Sequence, residues 1–218
     1  MKFFVSIGLM VLLANMVVMA QQPDHIFVFL NNRSDKAALP EEELKKIMDG
    51  HMANINRLAK EGKLVSAGPF DGGGGIFIFK SNSIEQVREW LNTDPGVQAK
   101  RWNVEVLPYY PSVGSACLVS EPYQMVSYQF IRFVPNVTKY NINHSTEKLR
   151  KHYDYLESLR NSGKVISEAH FGENEGGILV IAGELSKEAI DNDPALIAGV
   201  FVAEIKKLWI AKGAFCEK

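Results

Sequence analysis

The chain lacks most of the features that announce a familiar activity. Its 218 residues include two cysteines and five histidines. The histidines show no close metal-ligand spacing, so neither a metal site nor a cofactor is expected. No Gly-x-Ser-x-Gly elbow and no Cys/His nucleophile arrangement occurs. A glycine run, Gly72 to Gly75 after Asp71, is not followed by Gly-Lys-Ser/Thr and lies between two strand-like segments, which reads as a hairpin loop rather than a phosphate cradle. Positive charge is not in excess: Lys+Arg 24 against Asp+Glu 25 leaves a formal net charge of −1. Without a long basic run, no nucleic-acid partner is expected. An apolar content of 46% with 22% charged residues excludes whole-chain disorder and a multi-spanning membrane protein.

Only one long apolar stretch is present, and it stands first. Lys2 precedes a run from Phe3 to Val18, and Val18-Met19-Ala20 places compact residues at the −3 and −1 positions of a cleavage site. This is the pattern of a secretory signal peptide over residues 1–20. Asn15 interrupts the run and no basic cluster follows Gln22, which argues against a membrane anchor. The expected location is periplasmic or secreted, with no membrane association after cleavage and with conditions that permit disulfides.

The remainder repeats itself. His51 to Ser66 aligns with His152 to Ser167 at a constant offset of 101, with five identities in 16 positions. Gly74-Gly75-Ile76 matches Gly176-Gly177-Ile178, and Asp94-Pro95 matches Asp193-Pro194. In the first unit Ile26 to Leu30 reads as a strand. A helix runs from Pro40 and its following acids to Gly62, with Leu44, Met48, His51, Ile55 and Leu58 forming one stripe expected to face a sheet. Leu64 to Ala67 and Ile76 to Phe79 read as a hairpin. Ser83 with Gln86 caps a second helix that stops near Asp94-Pro95, and Trp102 to Leu107 is the last strand. The second unit follows the same order, with its second helix about one turn shorter. The order βαββαβ is that of ferredoxin-like folds, so the expected class is α+β with two tandem units. The expected divisions are residues 24–112, a linker at 113–124, and 125–218.

These residues resemble the YciI-like (YCII-related) family of dimeric α+β barrels. The likeness rests on His51, Gly62, Ala67-Gly68-Pro69, the glycine hairpin and Asp94-Pro95, and in the second unit on His152, Gly163 and Asp193-Pro194. The second unit departs at Ala169-His170, where Gly-Pro would stand. The resemblance implies a fused, intramolecular pseudo-dimeric barrel, either monomeric or further assembled, with a His/Asp active site; one relative is a dehydrochlorinase of a chlorinated aromatic. It points to His51 with Asp94 and His152 with Asp193 as catalytic pairs, and to Gly68, Pro69 and His170 beside a small organic ligand.

The same residues admit a plainer reading, in which His51 and His152 are packed core imidazoles, each Asp-Pro is a helix stop, and the protein is a non-catalytic binding or interaction module. An Asp bonded to the imidazole would instead fix its tautomer and make it a proton-transfer group for a lyase or isomerase. The first unit, which keeps Gly68-Pro69, is expected to hold the better pocket. Finally, Cys117 and Cys216 follow Gly114 and Gly213 by the same three residues. Equivalent positions can meet near a pseudo-two-fold axis, so a disulfide is expected there, the alternative being two separate thiols.

Overall fold

The computed structural model describes residues 22–138, 142–161, 163–172 and 175–216; the leader expected at 1–20 lies outside them. The first half contains β1 (His25–Asn32), α1 (Glu41–Lys60), β2 (Leu64–Pro69), β3 (Gly75–Phe79), α2 (Ile84–Leu91), α3 (Pro95–Gln98) and β4 (Trp102–Val113). A two-residue strand β5 (Ser115–Ala116) follows. The order then recurs as β6 (Met125–Pro135), α4 (Ile142–Arg160), β7 (Val165–His170), β8 (Gly177–Ile181), α5 (Lys187–Asp191), α6 (Pro194–Ile197) and β9 (Phe201–Ala211), and β10 (Phe215–Cys216) comes last.

Local chemistry accounts for the element limits. Three glutamates occupy the first turn of α1, where carboxylates offset the positive end of the helix dipole. Gly62, at φ +69°, closes it. The Gly62 N–H donates to the Ala59 carbonyl and the Lys63 N–H to the Leu58 carbonyl, a Schellman closure. Ser83 accepts from the Gln86 N–H at the start of α2, and Ser186 from the Ala189 N–H at the start of α5. α5 has 5 residues against 8 in α2.

Two expectations need correction. Asp94-Pro95 does not simply end α2; Asp94 caps the further helix α3, whose first residue is Pro95, and Asp193 does the same for α6. The last strand of the first half does not stop at Leu107 but runs to Val113, into the segment read as linker. β4 pairs with β1 as far as Tyr109 opposite His25, then with β7 from Tyr110 opposite His170. Proline interrupts a hydrogen-bond ladder, and Pro108 and Pro111 flank this change of partner, where the ladder is being handed over.

All pairings are antiparallel, in the order β2-β3-β1-β4-β7-β8-β6-β9. The two ends of this sheet meet: Phe70 bridges to Leu208, and the Asp71 N–H donates to the Lys207 carbonyl at 3.0 Å. The fold is therefore α+β, with one large antiparallel sheet curled into a barrel-like closure. Alternation along the strands divides the core. Phe27 and Phe29 of β1 join Phe70, Tyr109, Phe130 and Phe171 inside the curl. Ile26, Val28 and Leu30 face the other way and pack with Leu58, Val87 and Leu91 of the helices. Ile131 and Phe133 pack with Leu156 and Ile190 in the second half. Each such fully buried side chain contributes roughly 1.5–3 kcal/mol.

At the junction, β5 pairs with β10, and Cys117, the residue after β5, forms a disulfide with Cys216 of β10, the Cα atoms 5.9 Å apart. This distance falls in the range an unforced bridge requires.

Candidate active site

His51 projects from α1 toward α3. Its Nδ1 lies 2.8 Å from Asp94 Oδ2. Asp94 is wholly buried, and every position around its carboxylate is used. Oδ1 accepts from the Gly96 N–H at 2.8 Å and the Val97 N–H at 3.1 Å, while Oδ2 also accepts from Asn54 Nδ2 at 3.2 Å. Burial by itself would push the Asp94 pKa up. The hydrogen bond and charge of His51, the Val97 N–H and the Asn54 amide outweigh it and hold the carboxyl below its ordinary value of 3.8. An ionised carboxylate can only accept, so Nδ1 carries the proton and Nε2 is left as the basic nitrogen. Nε2 makes no hydrogen bond among the described residues. The ring lies 4.8 Å from Trp102 and 5.9 Å from Phe77, centroid to centroid.

Asn54 was not legible as a site residue in the sequence, although a polar residue three positions after His51 falls on the same helix face. Its amide orientation is set by its neighbours. Oδ1 accepts from Arg57 Nη2 at 2.7 Å, which turns the NH2 group toward Asp94, while the Thr93 hydroxyl donates to the Trp90 carbonyl at 2.6 Å.

His51 stands at the wall of a cavity of about 690 Å³ between α1, the outer face of β2 and β3, and the chain from Leu118 to Met125. Gly68, Pro69, Gly73 and Gly74 also line it. Leu44 and Met48, expected to face the sheet, are half-buried and line this cavity instead, while Ile55 packs against the sheet core and borders the cavity as well. Only His51 and Leu58 of that stripe are buried. Gly68 has a structural cause as well: a Cβ there would come within 2.8 Å of the Trp209 carbonyl oxygen, where β9 approaches β2. Gly74, at φ +77°, has the Leu30 carbonyl oxygen 2.2 Å from where its Cβ would be.

The second half reproduces the pair without the cavity. His152 Nδ1 lies 2.6 Å from Asp193 Oδ2, and Asp193 Oδ1 accepts from the Ala195 N–H at 2.8 Å. The rings of Phe133 and Phe201 stand 4.8 and 5.2 Å from the imidazole, and the adjoining void is only about 20 Å³, room for about one water molecule. Larger side chains fill the space. By strand register Phe133 stands where Leu30 does, and Glu168 where Ala67 does. Glu168 is held by Arg160, whose Nε donates at 2.7 Å, and by the Ser112 hydroxyl at 2.9 Å. His170, in the place of Pro69, stacks on Tyr110 at 5.1 Å.

Residues 25–110 match the family model of the YCII-related domain. No curated protein matches the chain. Among solved structures, a candidate monooxygenase of Fusobacterium nucleatum subsp. nucleatum is similar at 10% identity and a TM-score of 0.41, over 92% of this chain and 96% of that one.

Proposed function

We propose that the chain, whose residues 25–110 match the family model of the YCII-related domain, is an exported, intramolecular pseudo-dimer of two YciI-like units that binds a small organic molecule and acts on it by proton transfer. The observation that carries this reading is the His51–Asp94 pair at the wall of a cavity of about 690 Å³, a volume suited to a small ligand. Asp94 holds the Nδ1 proton and stabilises the imidazolium that forms when Nε2 takes a proton. In an elimination the C–H bond breaks toward Nε2 and its electron pair becomes the new double bond. The leaving group departs from the neighbouring carbon with its own bonding pair. In an isomerisation the proton is returned from Nε2 to a different carbon.

The packed surroundings of His152 favour a structural role for the second pair. The test is a thermal-shift screen of small aromatic and carbonyl compounds, followed by titration of the hits against His51→Ala and His152→Ala. Turnover of a hit should be lost in His51→Ala and retained in His152→Ala. Equal losses would refute the assignment, and a larger loss in His152→Ala would reverse it.

A further inference from the structure

The cavity beside His51 is lined by two cationic side chains, Lys36 and Arg101, and by no carboxylate. Arg101 is 8% exposed. A guanidinium offers five N–H donors, yet among the described residues this one makes a single hydrogen bond, from Nη1 to the Ala37 carbonyl at 2.7 Å. It forms no ion pair among the described residues. The other buried arginine shows what is missing: Arg132, 7% exposed, donates from Nη1 and Nη2 to the two carboxylate oxygens of Glu105 at 3.3 and 2.5 Å. A buried cation without a counter-charge is costly. Lys36 spends its ammonium on the Asn32 side-chain carbonyl, again with no acid. By strand register Val200 occupies the place of Arg101 in the second half, where the void beside His152 is about 20 Å³.

The remaining wall is apolar. Met52, Leu118, Tyr123 and Trp209 line the cavity and are among the large apolar side chains left about half or more exposed. Outside a ligand site, that gathering would be an unexplained apolar patch. Trp102 follows Arg101 in sequence and faces the His51 ring, so the cation and the base belong to one continuous wall.

We infer that the cavity takes an aromatic or otherwise apolar acid whose carboxylate is received by Arg101, with Lys36 adding charge, so that its apolar body lies against the wall that carries His51. This rests on the reading of the cavity as the ligand site and narrows it to anionic ligands. Arg101 is a binding and specificity residue here. Its planar fork matches a carboxylate through two parallel hydrogen bonds.

The experiment is isothermal titration calorimetry of the full chain with 2-naphthoate and its neutral isostere 2-naphthamide. The wild type should bind the acid at least roughly tenfold more tightly than the amide, since a charge-assisted pair replaces a neutral contact. Arg101→Gln should bring the two within about twofold of each other by weakening the acid far more than the amide, and Arg101→Lys should keep part of the preference. Equal binding of acid and amide to the wild type would overturn the anion site and leave the cavity reading intact. Binding of neither would overturn both. The wild-type comparison decides the matter even if Arg101→Gln does not fold, and an undiminished preference in a folded Arg101→Gln would refute the role of Arg101.

Discussion

Replacing Asp94 by Asn separates two jobs that one carboxylate performs. Oδ1 caps α3 through the Gly96 and Val97 N–H groups, while Oδ2 receives His51 and Asn54. Asparagine keeps an acceptor for the cap, so its NH2 group must turn toward His51 and Asn54. Asn54 cannot turn in response, because Arg57 holds its oxygen, and two NH2 groups then face each other. His51 can adapt only by moving its proton from Nδ1 to Nε2, which removes the basic lone pair at the cavity wall. The lost charge-assisted bond and the donor–donor clash should cost about 2–3 kcal/mol, a fall of roughly 5–10 °C in Tm for a chain of this size. The tautomer is read directly from imidazole 15N correlations at pH 8, with the His152–Asp193 pair in the same molecule as an internal control. Asp94→Asn should switch His51 from the Nδ1-H to the Nε2-H pattern, abolish turnover and leave His152 unchanged. A wild-type His51 already protonated on Nε2 alone, or a pattern that the substitution does not alter, would refute the reasoning.

Two further predictions concern stability. The Cys117–Cys216 bridge closes a separation of 99 residues, for which chain entropy allows up to about 4.7 kcal/mol. Cys117→Ser with Cys216→Ser should lower the urea midpoint and weaken ligand binding, because the bridge anchors the chain just before Leu118; two alkylatable thiols in the unfolded, unreduced protein would refute it. Burial pushes the Tyr109 hydroxyl up to about 12, partly opposed by its contact with Ser167. A raised folded pKa means stability that is complete below pH 10 and is lost as the pH climbs toward 12, on the order of 2–3 kcal/mol. Tyr109→Phe should flatten that alkaline loss in a denaturation series, and an unchanged alkaline midpoint would contradict it.

What was legible in the sequence was local or periodic. Gly62 as a helix closure, Ser83 as a cap, and the shorter second helix all follow from side-chain chemistry within a turn or two of the chain. The reach of β4 to Val113 was hidden because Pro108 and Pro111 signal the end of a strand when no neighbour is known. The stripe of α1 is only partly legible for a related reason. Period alone gives a shared face, whereas whether Leu44 and Met48 meet a sheet or a void depends on the opposing residues, Ala67 and Gly68 among them. Arg101 was missed since Lys-Arg beside a strand reads as a solvated pair of charges, and only tertiary structure buries one of them.

The main chain passes once between the two halves, and on its way Leu118, Val119, Tyr123 and Met125 line the cavity of the first half. One passage can line one chamber, so it adds to the larger side chains of the second half, Phe133 and Glu168, in making the two His/Asp pairs inequivalent. Saturation should therefore occur at one ligand per chain, with no cooperativity to fit. Selection acting on this short segment would retune affinity on one side while the opposite half is left to serve as scaffold.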